Sequence, residues 1–331
     1  MAKRSGDAVV VEYDSTGDVD VLQVRTRPQA PPGPGEVLVD VVTSGISHID
    51  GFIRGGAEQA FAEDPFPRGS GSDFAGIVAA VGEGVQGFRR GADVIGHVRS
   101  GAHASAVTVS AAALVHKPRS IPWEVAGGLY LAGATALDTL DQLRIGSGDA
   151  IVISAAAGGV GSIEAQIARF RGALVIGTCG ERNFDYLRQL GIKPVVYGPG
   201  VADRIRKAAG GRPITALIDN FGQDGRALAE DLGVPAVRYR SSEDRRDTEL
   251  RLLEDDPASV RAGTGLLQGV ADLAEKGAFR LLVSGLYPLA DVSDAYTDLK
   301  RLHSRGKVVL ATQPVTTVRT LRARDVWEAA G

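Results

Sequence analysis

The chain has 331 residues, 44% hydrophobic and 23% charged, with a formal net charge of −3. That length exceeds one small core and suits two domains of ordinary size. The mixture is that of a globular protein, the charge gives no electrostatic basis for a nucleic-acid partner, and the single cysteine, Cys179, excludes an internal disulfide and a cysteine-rich zinc site and suits a reducing cytoplasm.

Residues 1–13 carry charge without a long apolar core, so no secretory signal is expected. No apolar run reaches the roughly 20 residues that span a bilayer. Residues 8–13 read as a strand. The block Pro31-Pro32-Gly33-Pro34-Gly35 turns the chain, and 36–43, 73–81 and 91–98 read as strands separated by glycine-rich turns. Many short strands of this kind imply a small barrel or sandwich. Residues 122–143 read as a helix. From Ala150 the pattern alternates: strands at 150–154, 173–178, 194–197 and 214–219, helices at 161–170, 184–190 and 201–209. Such alternation means a parallel sheet with covering helices, and the strands are continuous apolar runs because both faces are buried. In 238–251 Arg is interleaved with Glu and Asp, which reads as a solvated charged face. The wider segment 238–265 is either a substrate-side loop or lid or an exposed surface insertion. A helix near 265–276, a strand at 279–283, a helix at 292–302 and a strand at 307–311 follow, then a polar tail beyond Thr312 with no strong pattern.

The strand 150–154 runs straight into Ala155-Ala156-Ala157-Gly158-Gly159-Val160-Gly161 and then a helix. This is the context that gives a glycine fingerprint its meaning: glycines let the backbone approach a pyrophosphate, and the helix start supplies amide donors and partial positive charge. Ala157, Gly158, Gly159 and Val160 are therefore expected to bind a dinucleotide. Ala156 replaces the first glycine of the usual G-x-G-x-x-G, while Gly158 and Gly161 match the other two. At the end of the second strand an acid would hold the ribose 2′-hydroxyl of NAD. Gly180 stands there instead, followed by Glu181 and by Arg182 to meet a 2′-phosphate. NADPH is the expected cofactor; a shift of one residue would make Glu181 the NAD-selecting acid.

At this point the chain resembles the medium-chain dehydrogenase/reductase superfamily along almost its whole length, in the zinc-free quinone oxidoreductase and enoyl reductase-like branch. Four segments carry the resemblance: Pro34-Gly35-Glu36-Val37-Leu38-Val39; Gly71-Ser72-Asp73-Phe74-Ala75-Gly76; the alanine-bearing loop 156–161; and Tyr287-Pro288-Leu289 with Asp294-Ala295-Tyr296 and Gly306-Lys307-Val308-Val309-Leu310. It implies an α/β fold with a GroES-like β-barrel catalytic domain (1–126 and 266–331) and a Rossmann doubly wound parallel-sheet domain for NADPH (127–265), the active site in the cleft between them, and a homodimer. It also implies a cofactor role for Thr135 near the nicotinamide amide and for Tyr197 beside the adenosine ribose or its 2′-phosphate. Asn220 and Phe221 fall at the end of the fourth strand, where dinucleotide sites lie. Lys307 either serves the family signature structurally or meets the cofactor.

The ligand positions of the zinc branch fall at Ser47, Ser72, Asp73 and near Leu131, and serine and leucine do not make a zinc site. His48, His97, His103, His116 and His303 are scattered without paired ligand spacing, so no catalytic metal is expected. Without a Lewis acid the easier task is hydride transfer from NADPH to a quinone or to the C=C bond of an α,β-unsaturated carbonyl. The candidate catalytic residues are Ser47, where quinone reductases usually carry Asn, Asp50, which matches their nearby acid, and two proton-donor candidates, His48 and Tyr130; solvent could supply the proton with no dedicated acid. Two alternatives stand beside this expectation. One is a biosynthetic tailoring reductase or reductive cyclase acting on a polyketide-like enone, the other a non-enzymatic NADPH-binding protein.

Overall fold

The computed structural model describes residues 6–58, 61–222, 225–301 and 305–315. Its strands, in chain order, are β1 (Asp7–Tyr13), β2 (Gln23–Pro28), β3 (Glu36–Ile46), β4 (Arg68–Gly69), β5 (Asp73–Val81), β6 (Asp93–His97), β7 (Ala106–Ser110), β8 (Leu114–His116), β9 (Ala150–Ile153), β10 (Leu174–Cys179), β11 (Lys193–Val196), β12 (Ala216–Ile218), β13 (Tyr239–Arg240), β14 (Val283–Pro288) and β15 (Lys307–Ala311). The helices are α1 (His48–Arg54), α2 (Trp123–Ala126), α3 (Tyr130–Gln142), α4 (Gly159–Phe170), α5 (Phe184–Gln189), α6 (Val201–Ala209), α7 (Gly225–Asp231), α8 (Ser242–Leu252), α9 (Pro257–Glu275) and α10 (Val292–Arg301). The chain divides into two compact units, one of Met1–Leu131, Leu250–Ala271 and Leu282–Gly331, the other of Ala132–Glu249 and Asp272–Leu281.

The first unit is the GroES-like barrel, organised on β3, which pairs antiparallel with β5, β7 and β15. Val37, Val39 and Val41 alternate along β3 and are fully buried in a cluster with Phe74, Val94 and Val107. Each such side chain contributes about 1.5–3 kcal/mol by leaving water, and a slip of one residue would turn all of them outward, which fixes the register. Strands β14 and β15 run parallel, with α10 between them in the chain. Helix α10 buries Ala295, Tyr296 and Leu299 in a core with Tyr287, Val308 and Leu310.

The second unit is the Rossmann domain: five parallel strands in the order β11-β10-β9-β12-β13. Ala150, Val152, Ile176 and Leu217 are buried in its core against Ile205 and Ala209 of α6. All five strands point their C-terminal ends the same way, so the turns after β9, β10, β11 and β12 gather at one end of the sheet, the end where such folds bind ligands.

Three sequence expectations are corrected. The helix expected over 122–143 is two helices, because the chain breaks at Gly127 and Gly128 to press against β3. The Gly45 N–H donates to the Gly127 carbonyl at 2.7 Å, and a Cβ on Gly127 would stand 2.4 Å from Thr43 Oγ1. The strand expected at 279–283 begins instead at Val283, where pairing with Lys307 starts. The backbone at Arg280 is satisfied by a side chain: its N–H donates to Gln166 Oε1 at 2.9 Å and its carbonyl accepts from Gln166 Nε2 at 3.1 Å. The segment 238–265, expected as a substrate-side loop or lid or a surface insertion, is not a loop but largely helical. Asp244 Oδ2 accepts from the Ser241 N–H at 2.8 Å and Ser241 Oγ from the Asp244 N–H at 3.1 Å, a capping box that starts α8. Asp256 Oδ1 accepts from the Ala258 and Ser259 N–H groups at 2.9 and 3.2 Å and starts α9, with Pro257 as its first residue. Among the described residues no helix is long and apolar enough to cross a membrane.

Candidate active site

The nucleotide turn follows β9. Ala155 takes the left-handed conformation, φ 48°, at a cost of about 1–2 kcal/mol for a non-glycine residue, and the Gly158 N–H closes the turn on the Ala155 carbonyl at 2.9 Å. Gly158 caps α4, and a Cβ on Gly161 would stand 2.6 Å from the Ala155 carbonyl oxygen, so only glycine lets helix and turn approach this closely. Ala156 is accommodated because residue 177 on β10 is glycine: a Cβ there would lie 2.6 Å from the Ala156 Cβ. The pair keeps the strand–helix spacing that two bulkier residues would break.

Around this turn the other strand ends bring their residues together. Asp219 Oδ1 accepts from Ser154 Oγ at 2.7 Å and from the Phe221 and Gly222 N–H groups at 3.0 Å each, and Ser154 Oγ accepts from the Asn220 N–H at 2.8 Å. This small network fixes the turn after β12. Tyr197, after β11, and Phe221, after β12, are 63% and 55% exposed, and their rings stack with centroids 6.5 Å apart. Two large aromatic faces left in water at the strand ends are poor packing for a core but suited to a flat ligand. Gly180 leaves room beside them, since a Cβ there would meet only Tyr197 Oη, at 3.9 Å. Glu181 and Arg182 follow in an exposed single turn. Thr135 on α3 is fully buried, and its Oγ1 has no hydrogen-bond partner, an open polar atom where sequence reasoning expected a cofactor contact. The glycine cradle and this orphaned hydroxyl fit a dinucleotide.

Sequence reasoning did not foresee Glu164, in the second turn of α4. It is fully buried; Oε2 accepts from Asn220 Nδ2 at 2.6 Å, while Oε1 and Asn220 Oδ1 lack partners. Burial pushes its carboxyl up to about 7, against the Asn220 hydrogen bond and the Arg245 charge.

The barrel unit holds a second cluster. Ser47 opens α1, and its N–H donates to Asp50 Oδ2 at 2.7 Å. Asp50 Oδ2 also accepts from the Tyr296 hydroxyl at 3.0 Å. Burial raises the Asp50 carboxyl above its usual range, opposed by the Ser47 N–H and the Lys307 charge. Lys307, 5% exposed, donates from Nζ to the Ile46 carbonyl at 2.9 Å and to Ser47 Oγ at 2.7 Å. Asp73 is buried near the same cation; burial pushes it up to about 6, while Lys307 pulls it down. Its two oxygens each accept from the Leu131 N–H at 3.2 Å, and Oδ1 accepts from Ser72 Oγ at 3.0 Å. Of the positions that the resemblance sets against the zinc branch's metal site, Ser72, Asp73 and Leu131 thus present a serine hydroxyl, a buried carboxyl and a backbone amide already bonded to one another, and Ser47 is bonded to Lys307.

The remaining candidates lie apart from this cluster or are engaged elsewhere. His48 is the exposed first residue of α1. Tyr130 is fully buried, stacked on His97 at 3.9 Å, and its hydroxyl donates to the Leu252 carbonyl at 2.6 Å; burial pushes its acidity far down, a poor state for a proton donor. His97 and His103 are both held well below the ordinary histidine range, at about 4, by burial. His103 lies in an internal chain, Nε2 donating to the Gly45 carbonyl and Nδ1 accepting from Ser70 Oγ, each at 3.2 Å. His116 Nε2 donates to the Gly87 carbonyl at 3.1 Å, and His303 lies outside the described residues.

Residues 33–122 match the alcohol dehydrogenase GroES-like domain, and residues 195–310 match the zinc-binding dehydrogenase family. A mycocerosic acid synthase-like polyketide synthase of Mycobacterium tuberculosis is 32% identical over 91% of this chain, which spans only 15% of that protein's length. The quinone oxidoreductase of Pseudomonas aeruginosa is 29% identical, over 94% of this chain and 99% of the relative. A mycobacterial structure complexed with NADPH has a TM-score of 0.75 at 26% identity and covers 92% of this chain and 99% of that one. With a GroES-like barrel, a Rossmann sheet and these relatives, the chain belongs to the medium-chain dehydrogenase/reductase superfamily of oxidoreductases, in the branch of quinone oxidoreductases and enoyl reductases.

Proposed function

We propose that the protein is a zinc-independent reductase that uses NADPH to reduce a quinone or the C=C bond of an α,β-unsaturated carbonyl. The observation that carries this reading is the strand-end assembly of the Rossmann unit: a glycine cradle that a side chain at Gly161 would fill, an orphaned Thr135 hydroxyl, and the exposed Tyr197–Phe221 stack. Ala157, Gly158, Gly159 and Val160 offer backbone N–H groups to the pyrophosphate at the start of α4. Tyr197, Gly180, Asn220 and Phe221 flank the adenosine half, Arg182 meets the 2′-phosphate, and Thr135 meets the nicotinamide amide. Bound NADPH supplies the hydride. Ser47 and Asp50 act on the substrate side, Ser47 as a hydrogen-bond donor to the carbonyl or quinone oxygen, Asp50 as the acceptor that orients Ser47. Zinc independence is supported by the donor set: among the described residues no group of three His, Cys, Asp or Glu side chains is arranged to hold a metal.

Thermal stabilisation and tryptophan fluorescence quenching with NADPH and NADH in parallel test the cofactor, since a ligand that binds only the folded state raises its apparent stability. A larger response to NADPH is expected. A larger response to NADH would assign selection to Glu181 and overturn NADPH.

A second substrate reading is favoured by one comparison. The polyketide synthase relative is more identical to this chain than the free-standing quinone oxidoreductase, 32% against 29%. A biosynthetic enone, carried as a thioester, is the corresponding substrate. Turnover of a crotonyl thioester against that of 1,4-benzoquinone, both with NADPH, separates the two.

A further inference from the structure

We propose that Lys307 is a positioning residue for this reduction, its ammonium fixing and polarising the Ser47 hydroxyl, which in turn donates to the oxygen that gains negative charge as hydride arrives. The proposal rests on the reductase reading above and names the source of positive charge at its substrate side.

The geometry points there in three ways. Lys307 is 5% exposed whereas Ser47 is half-buried, so a substrate oxygen meets the hydroxyl and not the ammonium. Ser47 Oγ accepts a Lys307 proton at 2.7 Å, which leaves its own proton directed away from the cation. A hydroxyl that accepts from a charged donor is itself a stronger donor, because successive hydrogen bonds polarise one another. Both partners are also held. The Ser47 backbone is tied to Asp50 at 2.7 Å and Asp50 to Tyr296 at 3.0 Å. The Lys307 Nζ is tied to the Ile46 carbonyl at 2.9 Å, and Gly128 makes room for its stem, since a Cβ there would lie 3.3 Å from Lys307 Cε.

Hydride addition to the electrophilic carbon forms a C–H bond and moves an electron pair through the conjugated system onto the carbonyl or quinone oxygen. NADPH is oxidised to NADP⁺, the substrate is reduced, and one proton from solvent completes the product. The Ser47 donor stabilises the transient oxyanion without reorganising at the moment of transfer. Lys307 keeps its proton throughout and delivers its charge through Ser47, the part a metal ion would otherwise play.

The experiment uses the full chain saturated with NADP⁺ and p-nitrophenol as an oxyanion probe, the bound phenol being titrated by its phenolate absorbance. Turnover of 1,4-benzoquinone or an enone with NADPH is read first on the unaltered protein. The expected result is a bound phenol about tenfold more acidic than free phenol, an effect kept in Lys307→Arg and abolished in Lys307→Met and Ser47→Ala. In turnover, Lys307→Met and Ser47→Ala each lower kcat by about 10²-fold with KM moved less than threefold. Their double variant loses no more than either alone, because the two act as one unit. Lys307→Arg recovers kcat to within about tenfold of the unaltered protein. If Lys307→Met does not fold, Lys307→Arg and Ser47→Ala carry the same comparison. No turnover by the unaltered protein would overturn the reductase reading itself. Turnover with no phenol binding, an unshifted titration or additive losses would overturn the Lys307 assignment alone.

Discussion

The Lys307 cluster of the barrel unit and the nucleotide end of the Rossmann unit solve the same problem, polar groups taken out of water, in opposite ways. In the barrel unit Ser47, Asp50, Tyr296 and Lys307 are bonded within the cluster, and Asp73 beside it is bonded to Ser72 and the Leu131 amide. In the Rossmann unit Thr135 Oγ1, Glu164 Oε1 and Asn220 Oδ1 have none. A buried polar atom without a partner costs about 1–3 kcal/mol. The first region is therefore satisfied before anything binds. The second leaves polar atoms open, and burial there favours the uncharged form of Glu164.

The contrast can be broken most strongly at the glycine cradle. Gly161→Val puts a side chain against the Ala155 carbonyl, where even a Cβ would stand at 2.6 Å. Overpacking of this kind costs about 1–3 kcal/mol, and NADPH affinity by calorimetry is expected to fall about 100-fold, with the protein still folded by far-UV circular dichroism. Retained affinity would remove the cradle from the site.

Two buried groups, Glu164 of the Rossmann unit and His103 of the barrel unit, should also respond to pH in opposite directions. Glu164 is raised from 4.5 to about 7 in the folded state, so its contribution is fully present below pH 4.5 and is lost as pH rises through 7. The gap corresponds to about 3 kcal/mol. Glu164→Gln should accordingly be more stable than the unaltered protein at pH 8 and similar to it at pH 5, measured by urea denaturation. His103 is lowered from 6.5 to about 4, so its contribution is present above pH 6.5 and is lost as pH falls through 4, again by about 3 kcal/mol. His103→Gln should flatten the acid limb of the stability profile and leave the limb above pH 7 in place. Both variants moving the same limb would contradict this division.

The smallest effect is expected at Tyr130. Tyr130→Phe removes its bond to the Leu252 carbonyl and should cost about 1 kcal/mol, while the pH profile of kcat keeps its shape. Loss of one limb of that profile would return Tyr130 to the role of proton donor.

How much of this was legible before folding follows from the range of the interactions. The alternation after Ala150 and the glycines at 158 and 161 are local patterns, and they located four of the five Rossmann strands to within about two residues and marked the turn after β9, while β13 was missed. Local signals were also present where the reading failed. Ser241 with Asp244 spells a capping box and Asp256-Pro257 a helix start, yet the charge density of 238–251 masked both. Other features had no local sign. The bond between Ser47 and Lys307 joins residues 260 positions apart, and Lys307 carried only a choice between a structural and a cofactor role. Glu164 reads as an ordinary polar position on α4, and only packing under Asn220 makes it buried. Asp73 was recognised as a former metal-ligand position, but not that the Leu131 amide bonds it.

The measurement that bears most directly on the central claim is NADPH oxidation by protein stripped of metal with a strong chelator and shown to contain no zinc by elemental analysis. Zinc independence requires that 1,4-benzoquinone or an enone be reduced at the same rate before and after stripping, and NADPH is expected to be preferred over NADH. Turnover that disappears on stripping and returns with stoichiometric zinc would contradict it.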